Sequence, residues 1–283
     1  MNIVGVDLGG TQLRAGRLAH IGLGPVTTAR VPAEGSAEVV LAALTALIDP
    51  IAKSGLDAIG VGVPSLVDPG SGIVRAVPSI PSWQDVPLKK LLEERYNKPV
   101  HIANDASCFV TGEQRFGAAR NRTEVVGLTL GTGTGAGIIL GGRLHTGKSG
   151  GAGELGMLPY LDHTYEHYTS GQFFEAEHDT TGEALSAQAH ARDPLALAIF
   201  ADLGFHIGRL IHAVLFTLDP ELIVLGGSVS RAYPYFHDAM MGSVAEFPYP
   251  SSVERLEILT AELEYPGVAG AALLAEAALS TRR

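Results

Sequence analysis

Two short passages of this sequence share one plan, and that repetition constrains the fold more than any other feature. Gly5-Val6-Asp7-Leu8-Gly9-Gly10-Thr11-Gln12-Leu13-Arg14-Ala15-Gly16-Arg17-Leu18 reads as an apolar strand, a turn of glycines and a hydroxyl, and a second strand. Gly127-Leu128-Thr129-Leu130-Gly131-Thr132-Gly133-Thr134-Gly135, running on to Gly142-Arg143-Leu144, repeats it. Such a turn gathers backbone N–H groups into a concave anion-binding nest, because glycine lets the backbone bend tightly and approach a phosphate. Two nests, one in each half, imply a nucleotide clamped between two related domains.

With 283 residues, 46% of them apolar, the chain is long enough for two cores of ordinary size. A net charge of −10 and a pI near 5.4 leave no basic face. Neither a nucleic-acid partner nor a membrane partner is expected, since both need clustered Lys and Arg. The single cysteine, Cys108, excludes an internal disulfide and a cysteine-based zinc knuckle. Met1 leads directly into the first strand with no signal-like core, and no apolar run is expected to approach bilayer length. A cytoplasmic location is therefore expected.

The first half predicts strands at 2–7, 13–19 and 26–31 as an antiparallel meander, then a helix over 38–53 kinked or ended by Pro50. A buried strand at 58–63 precedes a Pro/Gly/Ser-rich segment, 64–87, that holds the only tryptophan and reads as a binding loop. A helix at 88–96, a strand at 100–103 and a helix at 105–119 follow. The second half repeats the scheme with strands at 124–130 and 136–140, a glycine-rich loop to 156, and a long apolar helix over 194–218. Strands at 222–225 and 255–261 and a closing helix at 268–279 complete it. The pattern predicts an α/β fold of two domains, 1–103 with the C-terminal helix 268–283, and 104–267.

Three motifs carry chemistry. Asp7 ends a buried strand beside a phosphate-sized turn; a carboxylate there suits Mg²⁺-bound ATP, because the cation screens both anions, although Asp also caps turns of its own. The run from Leu130 to Gly137 imitates a dinucleotide fingerprint, but a strand and hairpin follow where that motif needs a helix. Asn104 and Asp105 stand at a strand end where a helix begins. One of them suffices as a cap, and the pair suits a sugar hydroxyl ligand plus a general base for phosphoryl transfer.

As a set, Asp7 to Arg14, Asn104-Asp105-Ala106, Leu130 to Gly137, Gly151-Ala152-Gly153-Glu154-Leu155-Gly156 and Leu222-Ile223-Val224-Leu225-Gly226-Gly227 resemble the ROK family (repressor, open reading frame, kinase). The resemblance implies two ribonuclease-H-like domains of the actin and hexokinase superfamily with a cleft between them. It also implies an ATP-dependent kinase of a hexose, glucose-like, or an N-acetylhexosamine, and a homodimer. Asp105 would be the base; Asn104, Glu154, Glu166 and Ser65 would bind sugar, Glu166 through the stretch from Tyr165 to Gly171. Asp7, Gly9, Gly10, Thr11, Gly131, Thr132, Gly133, Thr134, Gly226 and Gly227 would hold the nucleotide, Asp7 with its Mg²⁺.

Departures fall on the sugar side. Met157 stands where the family has a zinc-binding and sugar-gripping His, and the family's cysteine loop is missing, so no structural zinc is expected. Ser79 replaces an Asn, and Pro64-Ser65 replaces Pro-Gly. His163-Thr164-Tyr165-Glu166-His167 matches a zinc-peptidase spacing. The favoured expectation is instead that His163 or His167 reaches into the cleft in place of the missing His. His206 and His212 read as packing residues, and Cys108 as core. The rival class is a sugar sensor without catalysis; some family members are repressors with an added winged helix, and none is expected here, since the sequence opens on its first strand.

Overall fold

The computed structural model describes residues 1–20 and 22–281. Two five-stranded sheets follow one plan. The first, ordered β3-β2-β1-β4-β7, contains β1 (Ile3–Leu8), β2 (Gln12–Ala19), β3 (Gly22–Arg30), β4 (Ala58–Val63) and β7 (Val100–Asn104). The second, ordered β10-β9-β8-β13-β14, contains β8 (Val125–Leu130), β9 (Thr134–Leu140), β10 (Arg143–Leu144), β13 (Leu222–Gly226) and β14 (Glu257–Thr260). In each, three strands form an antiparallel meander and two more join in parallel. This is the repeated α/β plan that the two glycine turns imply, and the ribonuclease-H-like one that the family resemblance implies.

Helices cover both sheets: α1 (Ala37–Ala52), α2 (Leu88–Tyr96), α3 (Asp105–Phe116), α4 (Tyr165–Thr169), α5 (Gly171–His178), α6 (Gly182–His190), α7 (Pro194–Leu218), α8 (Tyr233–Ala245), α9 (Pro250–Arg255) and α10 (Pro266–Thr281). β4 is buried at every position, as a central parallel strand must be when both its faces are covered. α1 buries Val40, Leu44, Leu47 and Ile48 at helical spacing, and Pro50 sits in its last turn without stopping it. α3 ends at Phe116, three residues before the expected end; there the buried Glu113 carboxylate accepts the Ala118, Glu262 and Leu263 N–H groups.

Three expectations change. The segment 64–87 contains a hairpin, β5 (Val74–Val77) and β6 (Ile80–Val86), and Trp83 is wholly buried in the first core. Pro78 and Pro81 hide it in the sequence by breaking the strand pattern. α7 does meet the length and composition of a membrane span, yet thirteen of its residues are buried and it packs on α8 as the axis of the second core. α8 itself has no counterpart among the expected elements: Pro234 in its first turn reads as a break, although that position tolerates proline.

α10 lies directly on the backbone of the first sheet. A Cβ at Gly5 would stand 2.0 Å from Val268 O, and one at Gly60 would stand 1.8 Å from Ala271 O. Its other face meets α3, where a Cβ at Gly270 would stand 1.7 Å from Cys108 O. Small residues therefore seat one helix against both β4 and the helix that begins with Asp105.

Candidate active site

Because β1, β4 and β7 are parallel neighbours, their C-terminal ends lie side by side, with Asp7 beside Gly62 and Val63 beside Asn104 in register. In open α/β sheets that edge is where ligands bind. Asn104 caps α3: its Oδ1 accepts the Ser107 N–H at 3.1 Å, while Nδ2 donates to Ser65 O at 3.5 Å. Ser65 is buried, and its Oγ donates to Leu66 O and accepts the Ala76 N–H. Its hydroxyl is thus engaged within the chain, and its carbonyl orients Asn104.

Asp105 opens α3, and its Oδ1 accepts the Ala106 N–H at 2.8 Å. Burial, reinforced by the charges of Asp7 and Glu154, pushes its carboxyl up to about 7. Burial also raises Asp7, although the Arg14 guanidinium, 3.2 Å from its Oδ2, pulls the other way. Arg14 is not among the site residues that the sequence predicts. Its signal is the hairpin register, which sets Arg14 directly opposite Asp7.

The two glycine turns close as their sequences suggest. The Gly9 N–H donates to Gln12 O at 2.9 Å, with Thr11 exposed beside it. Gly10 backs onto the tip of the β5–β6 hairpin, where a Cβ would meet Ser79 Oγ at 3.2 Å. In the second turn the Gly131 N–H donates to Gly133 O at 2.9 Å and Thr132 is exposed. Gly226-Gly227 lies against the same strand end: Gly227 has φ +87°, and a Cβ there would stand 2.3 Å from Leu130 O. Thr134 presents only its amide, since its hydroxyl pairs with Thr169 Oγ1 at 2.9 Å.

Glu154 follows Gly153, whose carbonyl accepts the Ala136 N–H at 3.1 Å. Its carboxyl is raised by burial and by the charge of Glu166. Glu166, at the start of α4, accepts the Thr134 N–H at 2.9 Å and the Gln172 amide at 3.1 Å. Asp7, Asp105, Glu154 and Glu166 are therefore successive electrostatic neighbours, with Arg14 paired to the row at the Asp7 end.

The histidines turn elsewhere. His167 Nε2 pairs with Glu177 at 2.7 Å, and its ring stacks on His163 with centroids 4.1 Å apart and planes 18° apart. Imidazole lone pairs lie in the ring plane, so near-parallel stacked rings do not converge on one ion. Glu166 is bonded to Thr134 instead of lying between them. Neither the zinc-peptidase spacing nor the expected replacement for the missing His takes shape, and Met157 is 56% exposed. Among the described residues no group of three or more His, Cys, Asp or Glu is placed to hold a metal. His206 is buried against Tyr160, and His212 Nε2 donates to Ser243 O at 2.8 Å, as packing residues do.

The glucokinase of Thermotoga maritima is 29% identical, over 96% of both chains. The N-acetyl-D-glucosamine kinase of Pasteurella multocida is 34% identical over 64% of this chain and 68% of its own. The xylose repressor of Bacillus subtilis is 30% identical over 76% of this chain and 59% of its own. Among solved structures, a ROK family glucokinase from Streptomyces griseus, in complex with glucose and AMPPNP, superposes with a TM-score of 0.85 at 27% identity, covering 98% of this chain and all of that one. The ROK family profile matches residues 3–278, and the doubled sheet agrees with it: the chain belongs to the ROK family.

Proposed function

We propose that the chain is an ATP-dependent sugar kinase that phosphorylates a hydroxyl of a hexose or an N-acetylhexosamine. The observation that carries this reading is the half-buried Asp105 carboxyl, beside Asn104 at the ends of the parallel strands and raised to about 7 by desolvation and by the charges of Asp7 and Glu154. Phosphoryl transfer asks for a base within reach of the acceptor and donors for the transferring phosphate. Asp105 takes the hydroxyl proton as that oxygen attacks the γ-phosphorus, the bond to the bridging oxygen breaks, and ADP leaves. Asn104, Glu154 and Glu166 orient the sugar; the amides of both glycine turns hold the phosphates.

The donor set fits Mg²⁺. A row of carboxylates with one guanidinium pairing to it is short of positive charge, and Mg²⁺ is commonly held by one or two carboxylates, water and substrate phosphates rather than by a preformed protein cage. Asp7 would hold it, and its chemistry there is to neutralise charge on the phosphates. The test is coupled ADP release with Mg-ATP across hexoses and N-acetylhexosamines. Sugar-dependent release supports the kinase. Nucleotide binding with no release for any sugar would favour a sensor, the class in which the repressor relatives stand.

A pH dependence follows from Asp105. The base works ionised, so kcat/KM for the sugar should fall about tenfold per pH unit below about 7. A kcat/KM profile flat from pH 8 to 5.5 would remove Asp105 as the base.

A further inference from the structure

We propose that Glu166 gates the second glycine turn: without ligands its carboxylate occupies an amide that the nucleotide uses, and sugar binding frees it. This rests on the kinase reading above. Residues 131–134 are bound to the α4–α5 junction at four points. The Gly171 N–H donates to Gly131 O at 2.7 Å, Gln172 Nε2 to Thr132 O at 3.5 Å, and the Thr134 and Thr169 hydroxyls meet at 2.9 Å. The fourth is the Thr134 N–H, donated to Glu166 Oε2 at 2.9 Å.

Both carboxylate oxygens of Glu166 are held, since Gln172 Nε2 lies 3.1 Å from Oε1. The approach requires glycine at 133, where a Cβ would stand 2.4 Å from Oε2. An anionic oxygen on an amide of a glycine turn is the contact a phosphate oxygen makes there. One N–H cannot serve both, and the two anions repel. Sugar hydroxyls are donors; as they engage Glu166 they compete with the Thr134 amide and release it. Linkage then makes the coupling reciprocal, each substrate tightening the other. Gln172 is a positioning residue in this device: it holds Glu166 on the turn.

Mg-AMPPNP titrated calorimetrically into the full chain, first without sugar and then with saturating glucose, tests the gate in wild type, Glu166→Ala and Gln172→Ala. Glu166→Ala should bind sugar-free nucleotide about tenfold tighter and lose the response to glucose. Gln172→Ala, a change at an exposed side chain that keeps the charge, should gain about threefold, so that the hold is measured apart from electrostatics. Unchanged or weaker sugar-free binding in Glu166→Ala overturns the gate, and so does a gain in Glu166→Ala with none in Gln172→Ala. Absence of Mg-AMPPNP binding in wild type and every variant would instead overturn the kinase reading itself.

Discussion

Asp105→Asn should lower kcat by about a thousandfold, the scale set by loss of a positioned general base. Sugar and Mg-AMPPNP should still bind, because Asn keeps the shape and a carbonyl that can accept the Ala106 N–H. Loss of both binding and turnover would mean that the residue builds the site and does not act in it. The same substitution should stabilise the fold at pH 8. Asp105 has a folded-state pKa raised above its unfolded value, so the native chain binds the extra proton between the ordinary carboxylate range and about 7. Its contribution is greatest at low pH and is lost as pH rises through that window. Asn stays neutral throughout, so the variant should be more stable by about 1–3 kcal/mol at pH 8, with the difference shrinking toward pH 4.5. Thermal melts at the two pH values measure this; equal shifts at both would show that ionisation is not the cause.

Gly60→Ala should destabilise the fold by about 3 kcal/mol or more. The added Cβ would stand 1.8 Å from Ala271 O and 2.4 Å from the same residue's carbonyl carbon, and backbone atoms cannot swing away as a side-chain end can. α10 must lift from β4, and its opposite face is locked to α3 through the contact of Gly270 with Cys108 O. Sugar-dependent activity should therefore fall even in the folded fraction, because α3 carries Asp105. Gly242→Ala on α8, where a Cβ would have no neighbour within 4 Å, is the control and should be neutral or slightly stabilising. Urea unfolding reads both, and a Gly60→Ala value within about 1 kcal/mol of wild type would show that the interface yields.

Each half of the chain carries the legible part of this site in local form. The carboxylate of Asp7, the glycine turns at 9–10 and 131–133, and the Asn104-Asp105 pair can be read from sequence because a strand end and its turn are set by neighbouring residues. The hairpin at 74–86 and helix α8 are harder to read, since prolines interrupt their patterns and burial by distant elements overrides that signal. Arg14 is masked by lying one strand away from the residue it pairs with. The exchange of roles at Glu166 and His167 could not be read locally at all: they are adjacent, yet one faces the Thr134 amide and the other Glu177.

The doubled α/β plan, the two glycine turns and the carboxylates beside them can be read along the chain, because period, turn chemistry and strand ends are short-range properties. Only the folded arrangement shows that Ser65 orients Asn104 with its carbonyl, that Glu166 rests on the second turn, and that α10 seats β4 against α3. Those outcomes depend on contacts between residues tens to hundreds of positions apart, where packing and the fate of each buried donor settle which partner is taken.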